Sequence, residues 1–268
     1  MSAVFYRANF IFIGAVVLGY VAAVDVFAQE KPTSIEITAA KVYTPAGFDD
    51  NDVAQIILEG QFPNPCYRIK EVKLERLAQD EIGFRISAYQ YEDICAQVMT
   101  PFMQVVDIGI LDEGSYKIFD LEEANRDLRH KGDLPVAKAT SRKRDSYIYA
   151  PVDSSYVVYK RDARRQITAR YLALVGTFPG TCFEFENRIP ISRTIDNVIE
   201  VLPIVLEQNL RDCPGSTPFT KIIEIPKHIP GSHYLFHIRT MSGNSFNRID
   251  DLAPIEAIEK PRKDLPRP

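Results

Sequence analysis

Hydrophobic and polar positions alternate most clearly at Ile82, Phe84, Ile86 and Ala88, which are interleaved with Gly83, Arg85, Ser87 and Tyr89. A period of two over eight residues predicts a half-buried strand. Residues 53–60 read the same way, with Ile56 and Leu58 on one face, and residues 166–176 place Leu172 and Leu174 at matching positions. Shorter runs at 35–43, 105–110, 116–119, 195–206, 221–225 and 234–238, and Val72 with Leu74, add further strands. Pro203 interrupts the run at 195–206 and predicts an edge or a bulge. Asp49, Asp50, Asn51 and Asp52 form a polar turn, while the comparable region of the second half carries Arg161, Arg164 and Arg165. Short strands separated by turns, six or seven per roughly 100 residues, predict antiparallel β-sandwiches, with an OB-like or other barrel as the alternative.

The strands recur in order. Residues 58–66 read LEGQFPNPC and residues 174–182 read LVGTFPGTC, with Gly60 and Gly176 in register. Each is followed by a second cysteine (Cys95, Cys213), a Pro-Phe pair (Pro101-Phe102, Pro218-Phe219) and a Gly-Ser pair with a tyrosine close behind (Tyr116, Tyr234). Landmarks in one order predict two tandem copies of a single domain, at 29–121 and 147–250. Between them, 122–146 reads as a partly helical linker. Asp120 and Glu123 make a capping box, and Leu121, Ala124 and Leu128 share a face. The basic triplet Arg142-Lys143-Arg144 reads as a solvated tether rather than a lipid or glycan site. The tail at 251–268 carries Pro254, Pro261, Pro266 and Pro268 among charges and predicts extended chain with a brief helix at 255–259.

The first 28 residues change the picture of where the fold begins. Arg7 precedes an uncharged apolar run at 10–24, and Val26-Phe27-Ala28 has small residues at −3 and −1 of a cleavage site. This reads as a secretory signal, too short for a comfortable membrane span. The membrane enters as a partner only if the segment stays uncleaved as an anchor. All four cysteines lie beyond it, and an even count in an oxidising compartment implies disulfides. Four cysteines allow three pairings. One pair per copy makes Cys66–Cys95 and Cys182–Cys213 the economical choice. The second lobe of the sequence is near neutral and the first is acidic, with 15 Asp/Glu against 7 Lys/Arg between Ser34 and Leu121. That balance argues against nucleic acid as a ligand.

The G-x-F-P-x-x-C opening, the second cysteine, the Pro-Phe pair and the closing Gly-Ser resemble uncharacterised immunoglobulin-like β-sandwich domains of exported bacterial proteins. Those domains commonly begin with Gly-x-Leu-Pro-x-x-Cys. The resemblance covers both copies and implies an all-β fold with a periplasmic or extracellular address. It carries no catalytic residues. The chain has no Trp, so the buried tryptophan of antibody domains is missing.

The search for chemistry returns little. There is no G-x-S-x-G, H-E-x-x-H, P-loop or Rossmann glycine pattern; Gly243-Asn244-Ser245-Phe246-Asn247 lacks the final glycine. His228, His233 and His237 lie close in sequence without a carboxylate or cysteine to complete a metal site, and read as surface or edge histidines. Asp49, Asp50 and Asp52 do not follow an EF-hand order. No cofactor, no metal and no catalytic residue is expected. Two binding features remain: the loop Phe62-Pro63-Asn64-Pro65-Cys66, and Tyr89 with Tyr91 opposite the core face of their strand. A further tyrosine group, Tyr147, Tyr149, Tyr156 and Tyr159, opens the second copy. The expected function is a non-catalytic interaction or structural module of the bacterial cell envelope whose partner is another envelope or secreted protein. The alternative is a ligand-binding or protease-inhibitor-like module that presents the stapled loop.

Overall fold

A computed structural model of the chain describes residues 32–92, 94–121, 128–140, 147–194, 197–208 and 213–255. The leader at 1–28, the linker core at 122–127, the Arg142–Arg144 triplet and the tail helix at 256–259 lie outside the described residues. Every regular element described is a strand, apart from a single 3-10 turn at Met241–Gly243.

The N-terminal lobe holds β1 (Thr33–Ile37), β2 (Lys41–Tyr43), β3 (Phe48–Asp49), β4 (Ala54–Phe62), β5 (Tyr67–Ala78), β6 (Glu81–Gln90), β7 (Thr100–Gly109), β8 (Gly114–Leu121) and β9 (Leu128–Ala137). They form two facing sheets, β2-β4-β7 and β1-β6-β8-β9-β3 with β5 also on β6. Ile56 and Leu58 of β4 face Ile82, Phe84 and Ile86 of β6 and Ile118 of β8 across one apolar core. The alternation at 82–88 is therefore the signature of a sheet with one wet face.

Two features of the lobe differ from the expectation. The run at 35–43 is two strands, β1 and β2, which belong to different sheets. The residues assigned to the two ends of a linker helix are strand residues: Asp120 and Leu121 end β8, and Leu128 opens β9, which pairs antiparallel back along β8 with one bulge at Lys131. Leu134 and Val136 of β9 enter the core, so the second half of the expected tether completes the lobe.

The C-terminal lobe comprises β10 (Ile148–Tyr149), β11 (Val152–Arg161), β12 (Ile167–Phe178), β13 (Phe183–Phe185), β14 (Ile191–Arg193), β15 (Val198–Val201), β16 (Ile204–Glu207), β17 (Thr217–Glu224), β18 (Ser232–Thr240) and β19 (Asn244–Leu252). Sheet β11-β12-β17 faces sheet β14-β15-β18-β19, and a small sheet β10-β16-β13 lies beside them. Leu172, Leu174, Ile199, Val201, Tyr234, Phe236 and Ile238 fill the core. Pro203 falls between β15 and β16, where the chain leaves one sheet for another, as a residue without an N–H should.

One run of pairings is shared by the two lobes. β6 and β8 run parallel and β8 and β9 antiparallel; β15 and β18 run parallel and β18 and β19 antiparallel. The Pro-Phe pairs also acquire a reason. Phe102 lies opposite Gly60 and Phe219 opposite Gly176, and a Cβ on either glycine would collide with that ring. Each glycine makes room for a phenylalanine that covers its strand. Next to it, Cys66 bonds Cys95 and Cys182 bonds Cys213, with Cα–Cα separations of 5.8 and 5.4 Å. Two disulfides point to an oxidising, exported environment.

One buried side chain ties the C-terminal lobe's end together. Arg170 of β12 has no exposed surface. Its guanidinium donates to the carbonyls of Pro226, Ile229, Pro230 and Ala253. Burial lowers its pKa.

Candidate functional site

The side chains with chemical potential gather where the two lobes meet. β4 and β18 are each buried on both faces. Ile56 and Leu58 point into the first core, whereas Ile57 points out of it, beside Tyr43 of β2 and Val105 of β7. These meet Val198 of β15, Leu235 of β18 and Ile249 of β19. Each fully buried aliphatic side chain here contributes roughly 1.5–3 kcal/mol of transfer free energy.

Polar groups border this apolar seam on two sides. On one, Arg239 donates to Asp52 at 3.0 Å, both side chains almost wholly buried. The carboxylate of Asp52 also accepts the Asp49 N–H at 3.1 Å, so the polar turn at 49–52 is folded inward around it. Glu200 accepts the Ala46 N–H at 2.8 Å. Burial pushes its pKa up to about 7, against the opposing pull of that hydrogen bond and of Arg239. His237 pairs through Nδ1 with the Asn247 side-chain oxygen at 2.8 Å and lies edge-on to Phe48 at 5.3 Å. Burial pulls its pKa down to about 4. His237 is therefore a neutral core residue, not a surface histidine. Gly47 faces Glu200, Arg239 and His237 at once, within 4 Å of where a Cβ would stand.

On the other side, His233 sits between two carboxylates. Its Nε2 lies 2.7 Å from Glu59 of the N-terminal lobe and its Nδ1 lies 2.6 Å from Asp251. The Tyr43 hydroxyl donates to the second oxygen of Glu59 at 2.7 Å. Burial works against protonation of His233, but the hydrogen bonds to Asp251 and Glu59 outweigh it and the pKa is raised. The same carboxylate raises the Tyr43 pKa, after the larger effect of burial. Chemically this is a clamp: both ring nitrogens of His233 are engaged by carboxylates, one from each lobe. Among the described residues, no three His, Cys, Asp or Glu side chains are placed to hold a metal ion.

The residues singled out from sequence lie apart from this seam. Phe62 is buried, stacked between Tyr67 and Phe102. The Asn64 side-chain oxygen accepts the Cys66 N–H at 2.9 Å and shapes the loop from within. Pro63 and Pro65 are exposed. Tyr89 and Tyr91 meet edge-on at 6.3 Å, and Lys70 lies over the Tyr89 ring at 5.5 Å. The adjoining segment, tied down by Cys95, exposes Ile94 completely and Val98, Met99 and Met103 substantially. That apolar rim leaves no signal in the sequence, where its residues show no periodicity. The seam leaves none either: Asp52 and Arg239 are 187 positions apart, and no local pattern links them.

Residues 56–119 match the family model described as the ORF11 beta-sandwich domain. The match runs from β4 to β8 and leaves the C-terminal lobe untouched. No curated protein matches the chain, and no solved structure does.

Proposed function

We propose that this chain is a non-catalytic interaction module of the bacterial cell envelope or extracellular space, made of two tandem immunoglobulin-like β-sandwich domains. The shared run of pairings and the paired Gly–Phe contacts support descent of both lobes from one domain. The two disulfides agree with export through the segment at 1–28 as a cleaved signal. The observation that carries the functional reading is the rim beside Cys66–Cys95, where Ile94, Val98, Met99 and Met103 expose aliphatic surface on a disulfide-held segment. An apolar patch with polar surroundings marks a protein contact, and a stapled segment loses little entropy on docking. His233, His237 and the buried acids Asp52 and Glu200, by contrast, lie in contacts between one lobe and the other.

The test is capture from envelope extract by the immobilised chain with its disulfides intact. A protein retained in stoichiometric amount by the parent chain, and lost from an Ile94→Ser, Val98→Ser, Met99→Ser variant, is the expected result. Equal retention by both would remove the rim as the binding surface, and retention of glycan alone would favour a ligand module instead.

A further inference from the structure

The seam between the lobes shows what one sheet face of this fold docks against. On the outer face of β2-β4-β7, Tyr43, Ile57 and Val105 stand side by side in register. They cover Val198, Leu235 and Ile249, likewise side by side on β15-β18-β19. The seam is thus a trio of one tyrosine and two aliphatic residues set on an aliphatic trio.

Each trio has a counterpart in the other lobe. Alignment of Gly60 with Gly176 places Ala173 where Ile57 stands, and the neighbours of Ala173 in register are Tyr156 and Ile222. The outer face of β11-β12-β17 therefore repeats the first trio, tyrosine included. Its two flanking members are open while the small central Ala173 is buried between them: Tyr156 is 45% and Ile222 51% exposed, whereas Tyr43 and Ile57 are fully buried. Val158, next along β11, is exposed too. The second trio behaves differently. Counting from the core pair Ile82–Ile118, which matches Ile199–Phe236, its counterpart in the N-terminal lobe is Glu81, Lys117 and Asp133. Lys117 reaches Glu81 at 3.4 Å.

We propose that the face bearing Tyr156, Ala173 and Ile222 docks the outer sheet face of a β-sandwich in another protein, one that presents an aliphatic trio like Val198, Leu235 and Ile249. The inference rests on the two-domain reading above. A second copy of this chain is the wrong occupant, because its available face offers Glu81, Lys117 and Asp133. Setting those charges on Tyr156 and Ile222 would strip their water without providing partners. A head-to-tail contact of unlike faces propagates indefinitely unless an end is closed. The charged trio closes one end, as polar outer faces do in stacked repeats. This chain is thereby the terminal member of a stack of sandwiches, open on one side only.

The purified chain tests this without knowledge of the partner. Replacing the closing residues together (Glu81→Val, Lys117→Leu, Asp133→Ile) gives the N-terminal lobe the aliphatic trio that the face accepts. Sedimentation velocity at increasing concentration should show the parent chain as a monomer and the triple variant as a concentration-dependent series of oligomers. Adding Ile222→Lys to the triple variant should return it to monomer. A triple variant that keeps the parent's circular dichroism yet stays monomeric would overturn the proposal. So would oligomers that survive Ile222→Lys, or self-association of the parent chain through this face. Neither Tyr156 nor Ile222 belongs to the rim near Cys95, so this outcome and that of the envelope capture stand separately.

Discussion

Glu200 and His237 titrate in opposite senses within one buried cluster, and removing either should unmask the other. The Glu200 carboxyl moves from 4.5 to about 7 on folding, so between those pH values the folded protein keeps a proton that the unfolded chain has released. Stability from this group falls as pH rises through that window. His237 moves from 6.5 to about 4, so between those values the unfolded chain binds a proton that the folded protein refuses. Stability from this group falls as pH drops. Each displacement corresponds to on the order of 3 kcal/mol, at about 1.4 kcal/mol per pH unit. The windows overlap from 4.5 to 6.5, where the two slopes offset one another. The surrounding groups are Asp52, Arg239, Asn247 and the Ala46 amide, none of which is altered in the comparison. Glu200→Gln keeps an oxygen for the Ala46 N–H and removes one titration. Urea unfolding of parent and variant at about pH 4.5, 5.5, 6.5 and 7.5 is the assay. The stability of the variant relative to the parent should rise with pH, by on the order of 3 kcal/mol between about 4.5 and 7. His233 and the surface carboxylates are common to both proteins and cancel in the difference. His237→Gln should tilt the relative curve the other way. Parallel curves for parent and Glu200→Gln would refute the reasoning.

Single side chains carry the other predictions. Arg170→Met removes the guanidinium that binds the carbonyls of Ile229, Pro230, Ala253 and Pro226 and should destabilise the protein by about 3 kcal/mol, read as the shift in urea midpoint at constant slope; a loss under about 0.5 kcal/mol would refute the tie between β12 and residues 226–253. His233→Gln should weaken the parent by no more than about 1 kcal/mol, because the clamp is partly exposed to solvent. Its raised pKa sets the sign: the contribution of His233 is complete below its ordinary pKa and fades as pH rises through the folded value. The difference between His233→Gln and parent should therefore shrink from about pH 6 to pH 9 and not grow.

What the sequence discloses depends on how much of each strand faces water. β6 is plain at 82–88 because one face is wet, and a wet face alternates. The position of Pro203 foretells a break, since a residue without an N–H has no place inside a ladder. β9 is hidden: Arg129, His130, Lys131 and Asp133 outnumber Leu134 and Val136, and Gly132 with Pro135 look like breakers. β18 can be recognised as a strand, but a run buried on both faces does not say that its two faces serve different cores. The cysteine pairing is legible once one pair is assigned to each half of the chain, because each bond closes within one lobe. The seam between lobes joins residues as distant as Glu59 and His233, and nothing local encodes that acquaintance. Phe62 has the look of a presented residue because it leads into a disulfide-held loop; its ring in fact packs on Phe102.

Because β4 and β18 each line two cores at once, neither lobe is a portable unit. A gene segment that carried residues 32–137 into another protein would carry Ile57 and Tyr43 with no cover, and a segment that carried 147–255 would leave Leu235 uncovered and remove Asp52 from Arg239. Duplication can create such a pair, but once the seam has formed, later shuffling of either half alone is penalised. A substitution on one side of the seam is therefore felt by the residues that face it on the other.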